Sequence, residues 1–393
     1  MFDLEDFRAD TRAWLEENCP ASMREPMRGA DDICWGGRNP EFKNDDQRLW
    51  LERMADRGWT APTWPEQYGG GGLSPEQAKV LREEMARIDA REPLKSFGIS
   101  MVGPAIIKWG SEALKQEHLP KICRGEIRWC QGYSEPGAGS DLAGLQTKAE
   151  DKGDHYLING QKIWTSYAHK ADWIFCLVRT SWEGKKQEGI TLILFDMQSP
   201  GVEARPIRLI SGASVFCETF FTDVKADKKQ VVGEVNKGWT YAKYILTHER
   251  EMVSAIGGDA SAVDALGVQS LDAVGTDDQG RLDDPILRGD IARWEIDQLS
   301  FRLTLERARD EAKAGEGVGH YSALLKYAGT ELNKRRLELK VAAEGMGGLA
   351  WEGQAWKGGA LAKEWLRSKA NSIEGGTSEV QLGILAKNVL GMK

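Results

Sequence analysis

Tyr133-Ser-Glu-Pro-Gly-Ala-Gly-Ser-Asp141 is a stretch that neither a helix nor a packed strand accommodates. Pro136 removes a backbone donor, and Gly137 and Gly139 give up most of the local helical and strand propensity. Such a segment makes a tight loop. Its main-chain N–H groups and the hydroxyls of Ser134 and Ser140 can then approach a flat polar ligand. Further along, Asn159-Gly-Gln-Lys-Ile-Trp-Thr-Ser166 reads as a turn at Asn159-Gly160, followed by a strand carrying one aromatic and two hydroxyls. The run Asp154-His-Tyr-Leu-Ile158 has β character, so the two segments are expected to flank one hairpin.

Working outward, the chain has 393 residues, enough for two or three domains and a large core. It carries 60 acidic and 52 basic residues, a net charge of −8 that excludes a general nucleic-acid binder but not a local basic patch for an anionic ligand. Its six cysteines include no C-x-x-C pair and its five histidines no H-E-x-x-H, so no metal site is expected and the thiols are expected to be free in a reducing compartment. The start, Met1-Phe-Asp-Leu-Glu-Asp6, lacks the basic and apolar parts of a targeting peptide. No apolar run approaches the roughly 18 residues of a membrane span, so a cytoplasmic protein is expected. Most of the 15 tryptophans are expected in packing roles, including Trp351 and Trp356 beside small residues.

The patterning changes twice. Residues 1–125 show apolar residues at helical spacing: Leu4, Phe7, Trp14 and Leu15, then Leu49, Leu51 and Met54, then Val80, Leu81, Met85 and Ile88. Between these, Trp59 to Gly72 is punctuated by two prolines and four glycines and reads as a loop. Residues 126–235 alternate short β-rich runs with turn residues, which predicts a small antiparallel barrel or sandwich: 172–179, 189–195 and 217–222. Residues 236–393 return to helical patterning at 241–255, 290–314, 322–343 and 378–390, which predicts a bundle. The stretch Val268 to Arg288 interrupts it with Gly, Asp and Pro.

The two quoted segments together resemble the flavin-binding signature of the acyl-CoA dehydrogenases, and Ile373-Glu-Gly-Gly-Thr-Ser-Glu-Val-Gln381 resembles that family's C-terminal signature. The three motifs keep their order and spacing, and the resemblance extends over essentially the whole chain. It implies an N-terminal helical domain, a central antiparallel β-barrel domain and a C-terminal four-helix bundle. It also implies FAD, an acyl-CoA substrate, an electron-transferring flavoprotein as acceptor, and a homo- or hetero-tetramer. The reaction it implies removes the α-hydrogen as a proton and the β-hydrogen as a hydride, leaving a trans-2-enoyl-CoA. Carried onto this sequence, the flavin contacts fall at Tyr133, Ser134, Ser140, Trp164, Ser166 and Thr377.

The α-proton needs a carboxylate base. Many relatives place a glutamate two residues before the threonine of the C-terminal signature, where this chain has Gly375; Glu374 is offset by one. Another branch, which includes branched-chain, long-chain and steroid side-chain enzymes, keeps the base on the first long helix of the bundle, just before an arginine. That site reads Leu246-Thr-His-Glu-Arg-Glu251, so Glu249 is the expected base and Arg250 its orienting partner, with Glu374 as the fallback. Glu251, two residues on, is expected to face away. Taken without the resemblance, a Glu-Arg-Glu triplet on a helix is a solvated ion-pair face.

Two family features are missing. Residues 280–295 contain no Arg-x-x-Phe-Gly, the family's cross-subunit grip on the flavin pyrophosphate, and Val341-Ala-Ala-Glu-Gly-Met-Gly-Gly348 lacks the usual Gln. Arg288 and Arg293 are the candidate substitutes. Three functions follow: a dehydrogenase of bulky or branched acyl-CoA, a same-fold flavin oxidase or monooxygenase, and a non-catalytic or flavin-sharing subunit of a heteromeric dehydrogenase. Retention of Glu249 speaks against the second, and the intact flavin motifs against the third.

Overall fold

A computed structural model describes residues 4–27, 29–256, 266–314 and 321–392; the side chains of 30, 248–256, 312, 313, 355 and 356 lie outside that description. The chain divides into two compact units, Met1–Ile207 with Phe216–Ile245, and Arg208–Val215 with Leu246–Lys393.

The first unit opens with five helices: α1 (Leu4–Asn18), α2 (Asp45–Asp56), α3 (Pro75–Arg87), α4 (Gly103–Trp109) and α5 (Glu112–Cys123). Their starts are written in the sequence. The Asn44 side chain caps α2 by accepting from Gln47 N, and Ser74 forms a capping box with Gln77 ahead of Pro75. The expected apolar stripes meet in a core of Leu15, Trp50, Met54, Trp59 and Leu81. Glu84, 2 % exposed, ties α3 to α1 through Arg8 and Arg12, and also pairs with Arg87 of its own helix. The bond from Arg12 leads the causes that hold its carboxyl at about 2, against the opposing effect of burial.

Seven strands follow: β1 (Trp129–Gly132), β2 (Lys148–Asp151), β3 (His155–Ser166), β4 (Trp173–Arg179), β5 (Ile190–Asp196), β6 (Val202–Ile207) and β7 (Phe216–Asp227). They form one curled sheet rather than a closed barrel. β4 carries β5 along its length and also pairs with β1, then with β2 at a single residue pair; β2 leads on through β3 and β7 to β6. The sheet is not wholly antiparallel, because β1 and β2 both run parallel to β4. Parallel neighbours need a crossover rather than a tight hairpin, and the chain between β1 and β4 provides it. β4 and β5 are buried along almost their whole length, which is why they read as unbroken apolar runs. One face holds Cys130, Ile174, Cys176, Val178, Ile193 and Phe195. On β4, His118 of α5 packs edge-on against Trp173 at 4.6 Å.

The two segments do flank a hairpin, β2 with β3, which turns at 152–154, where Lys152 N donates to His155 O at 2.9 Å; the expected turn at Asn159-Gly160 is not there. β3 is one continuous strand of 12 residues, and Asn159-Gly160 is a bulge inside it, at a register shift against β7. Asn159 is held in line with the sheet by a two-way bond with Asp223, its Oδ1 accepting from Asp223 N at 2.9 Å and its Nδ2 donating to Oδ1 at 2.9 Å.

The remaining helices are α6 (Gly238–Ile256), which begins in the first unit, then α7 (Leu266–Val274), α8 (Pro285–Lys313), α9 (Tyr321–Glu344), α10 (Ala360–Ser368) and α11 (Ser378–Asn388). The stretch that breaks the pattern at Val268 still folds as α7, because Leu266, Leu271 and Val274 pack with Leu287, Ile291 and Trp294 of α8. α8 begins five residues before its expected start at Asp290, with Asp284 Oδ1 accepting from Leu287 N at 2.9 Å ahead of Pro285. No described helix is long and apolar enough to cross a membrane.

Candidate active site

The Ser134 loop is built around a buried charge pair. Lys162 of β3 is 0 % exposed and its Nζ lies 2.8 Å from Glu135 Oε1; it also donates to the Tyr133 carbonyl at 3.0 Å. Glu135 is buried too, and its carboxylate accepts from Gln146 N at 2.7 Å and Thr147 N at 2.9 Å. Burial alone would raise its pKa. The Lys162 charge and these donors outweigh burial and hold it below the usual carboxylate range. Both ends of the 133–147 loop therefore close on one side chain.

A second staple comes from Arg179 at the end of β4. Its Nη2 donates to Ala143 O at 2.7 Å, and its Nη1 donates to Lys186 O at 2.8 Å and Glu188 O at 2.9 Å. It thereby joins the 133–147 loop to the 181–189 excursion. Asp141, beside Ser140, pairs with Lys186 Nζ at 2.6 Å.

At the far end of β3 the backbone is forced out of the strand. Trp164 sits at a second register shift against β7, with φ 61, in the left-handed region that tryptophan seldom enters. The result is an indole 53 % exposed, resting edge-on against Phe216 at 6.2 Å. Ser134 and Ser166 are half-buried, and Ser134 O accepts from Ile163 N at 2.9 Å, which locks the loop to the strand. Ser140 is exposed. The first unit thus brings Tyr133, Ser134, Trp164 and Ser166 to one loop-and-strand junction.

In the second unit, Gly375 and Gly376 take φ 65 and φ 96 and deliver Thr377, whose side chain caps α11 by accepting from Val380 N at 3.2 Å. Glu374 is paired with Arg367 at 2.7 Å. Glu249 and Arg250 lie on α6, but their side chains, like that of Trp356, fall outside the described residues. Arg281 is bound to Asp277 at 2.8 Å and Arg288 donates to Leu282 O at 2.7 Å; exposed Arg293 pairs with Asp290.

Family models cover the chain in three consecutive segments: acyl-CoA dehydrogenase N-terminal domain over residues 3–126, middle domain over 130–224 and C-terminal domain over 236–390. The chain belongs to the acyl-CoA dehydrogenase family. It is 36 % identical over 395 residues to the acyl-CoA dehydrogenase IpdE1 of Mycobacterium tuberculosis, covering 100 % of this chain and 98 % of the relative. Among solved structures, the Tcur3481-Tcur3483 steroid ACAD superposes with TM-score 0.77 at 30 % identity, over 99 % of this chain and 97 % of that one. The ChsE4-ChsE5 complex from Mycobacterium tuberculosis gives 0.73 at 25 % identity, over 100 % and 98 %. The protein is accordingly an FAD-dependent acyl-CoA dehydrogenase with the family's helical, β and helical architecture.

An acyl-CoA dehydrogenase must hold a flat, amphipathic ring, and the Trp164 junction has the chemistry for it: an exposed indole, with half-buried Ser134 on the braced loop and Ser166 on the strand. Three braces escape sequence reading: Glu135, Lys162 and Arg179. The first two stand inside the quoted motifs, but nothing local announces that residues 27 apart form a pair.

Proposed function

We propose that this acyl-CoA dehydrogenase acts on a bulky or branched acyl-CoA, with Glu249 as the α-proton base and Arg250 orienting it. The carrying observation is Gly375. It takes φ 65, so a glutamate there would sit in strained left-handed backbone, at a cost of about 1–2 kcal/mol. The adjacent Glu374 is engaged by Arg367. On α6, buried Gly238, Ala242 and Ile245 recur at helical spacing, and counting on by four reaches position 249. Exposed Thr240, Lys243 and Thr247 continue instead to 251.

In this reading Tyr133, Ser134, Trp164 and Ser166 hold the ring of FAD, Ser140 faces its phosphates or the CoA, and Thr377 reaches it from the C-terminal turn. FAD, when bound, accepts the β-hydrogen as a hydride. Trp164 covers the ring and excludes water, and the serines fix its edge by hydrogen bonds. Glu249 holds the α-proton. An electron-transferring flavoprotein would then reoxidise the flavin. The functional domains are taken as 1–125, 126–235 and 236–393. Similarity to a structure named as a steroid ACAD favours a polycyclic or side-chain acyl group.

The test is an anaerobic titration of the yellow protein with straight, branched, aromatic and steroid acyl-CoAs, following the flavin band. Bleaching by a bulky class alone is expected, and Glu249→Gln should keep FAD while losing bleaching. Full bleaching of that variant sinks the assignment of the base. A second reading, a flavin-sharing subunit of a heteromer, is favoured by the committed state of Arg281, Arg288 and Arg293, each tied within its own chain. Two of the structural relatives are named as pairs of proteins. A protein that purifies colourless alone and yellow with a co-expressed partner would decide for it.

A further inference from the structure

Glu374 stands beside the position from which many relatives draw their base, yet both its oxygens are occupied. Oε2 accepts from Arg367 Nη2 at 2.7 Å, and Oε1 accepts from Asn371 Nδ2 at 2.6 Å. Asn371 is in turn immobilised from two sides. Its carbonyl takes Nζ of Lys326, which is 0 % exposed, at 3.0 Å, and its Oδ1 takes Asn333 Nδ2 at 2.9 Å. The backbone of Glu374 closes the same turn, with its N–H donating to Ala370 O at 3.0 Å. The residue before the two-glycine turn is thus fixed to α9 and α10.

The other end of the turn is fixed to α11. Gln381 is 1 % exposed, and its Nε2 donates to the Gly375 carbonyl at 3.2 Å. Its orientation is not arbitrary, because reversing the amide would set an oxygen against that carbonyl. A Cβ added at Gly376 would come within 2.4 Å of Nε2, so the turn and this side chain occupy interlocking space. Two consecutive glycines left to themselves would sample many conformations. Here Glu374 and Gln381 hold them to one, and that conformation sets where Thr377 starts α11.

We infer that Glu374 is a positioning residue: with Arg367 and Asn371 it sets the Gly375–Gly376 turn, and through it the place of Thr377 toward FAD. We assign it no proton in the reaction, because both oxygens are turned to Asn371 and Arg367 and the proposed base is Glu249. This inference rests on the reading that Thr377 faces FAD and that the base lies on α6.

The test compares Glu374→Gln, Arg367→Met and the double variant as complete holoproteins. FAD affinity is measured by fluorescence on rebinding, and the rate of flavin bleaching per bound FAD is followed across pH. Each single variant should weaken FAD by about tenfold, and the double by little more than either, because the two residues act as one unit. Arg367→Lys should restore part of the affinity. Bleaching per bound flavin should stay within about threefold, with the apparent pKa of its pH profile unmoved. Unchanged FAD affinity in both single variants overturns the inference. So does a Glu374→Gln protein that binds FAD normally but no longer bleaches while Arg367→Met still does, which would make Glu374 the base. If Glu374→Gln does not fold, the two Arg367 variants carry the same comparison. Retained bleaching in Glu249→Gln would remove the base from α6 without touching the FAD-affinity result, so the two failures are told apart.

Discussion

The two loops assigned to the flavin are braced by ion pairs of opposite character. The 133–147 loop closes on Glu135 and Lys162, which are 8 % and 0 % exposed. The 374–377 turn leans on Glu374 and Arg367, which are 25 % and 32 % exposed. A buried pair has been stripped of water and leaves a costly orphan when one partner is removed; a partly wetted pair loses little, because solvent takes over. Only the first loop is committed by the fold itself. The second is committed by local geometry and can be loosened without unfolding the protein.

The largest expected effect is therefore that of Lys162→Met. It strands the Glu135 carboxylate and should cost about 3–5 kcal/mol in urea unfolding. The loss should depend on pH in a defined direction. In the wild type the Glu135 pKa is depressed, so its contribution is fully present above the ordinary carboxyl value of about 4.3 and disappears as pH falls through the depressed value. In the variant burial is opposed only by the Gln146 and Thr147 donors, so the pKa rises above its wild-type value and the carboxyl protonates and tolerates burial at less acidic pH. The difference between the two proteins should be greatest near neutrality and shrink below about pH 5. A constant difference across that range would break the comparison.

Gly160→Ala comes next. The new Cβ would lie 2.7 Å from Thr147 Cα, against the residue whose N–H is held by Glu135, and backbone cannot step aside there as a flexible side chain would. A loss of about 2 kcal/mol in unfolding free energy is expected, with weakened FAD binding. Arg179→Lys should be milder, about 1–2 kcal/mol, because the ammonium keeps the charge but cannot reach the carbonyls of Ala143, Lys186 and Glu188 together. The check is the same urea unfolding, and an unchanged unfolding free energy would break the comparison.

Particular residues show what the sequence made legible. Pro136, Gly137 and Gly139 announce a loop because their backbone preferences are local, and the apolar runs of β4 and β5 announce buried strands for the same reason. Asn159-Gly160 misleads because the dipeptide favours a turn only when the flanking strands pair with each other. Here both flanks pair with β7, so the extra conformational freedom is spent on a bulge. β1, β2 and β6 are too short and too polar to stand out, and their places are set by neighbours distant in sequence. The same distance hides the partners of Lys162 and Arg179. Gly375 could be read as a missing acid, but its left-handed backbone could not.

The smallest expected effect on stability is that of Arg367→Met, and it sharpens the contrast most. The guanidinium is 32 % exposed, so water replaces much of what the ion pair provides and the cost to unfolding should stay at or below about 1 kcal/mol. FAD affinity should nevertheless fall, because the turn loses its fixed end while the helices around it remain packed. Lys162→Met should lose both together. If Arg367→Met instead lowered the unfolding free energy as much as Lys162→Met does, the C-terminal turn would be part of the cooperative core, and the division between a loop held by the fold and a turn held by its own neighbours would collapse.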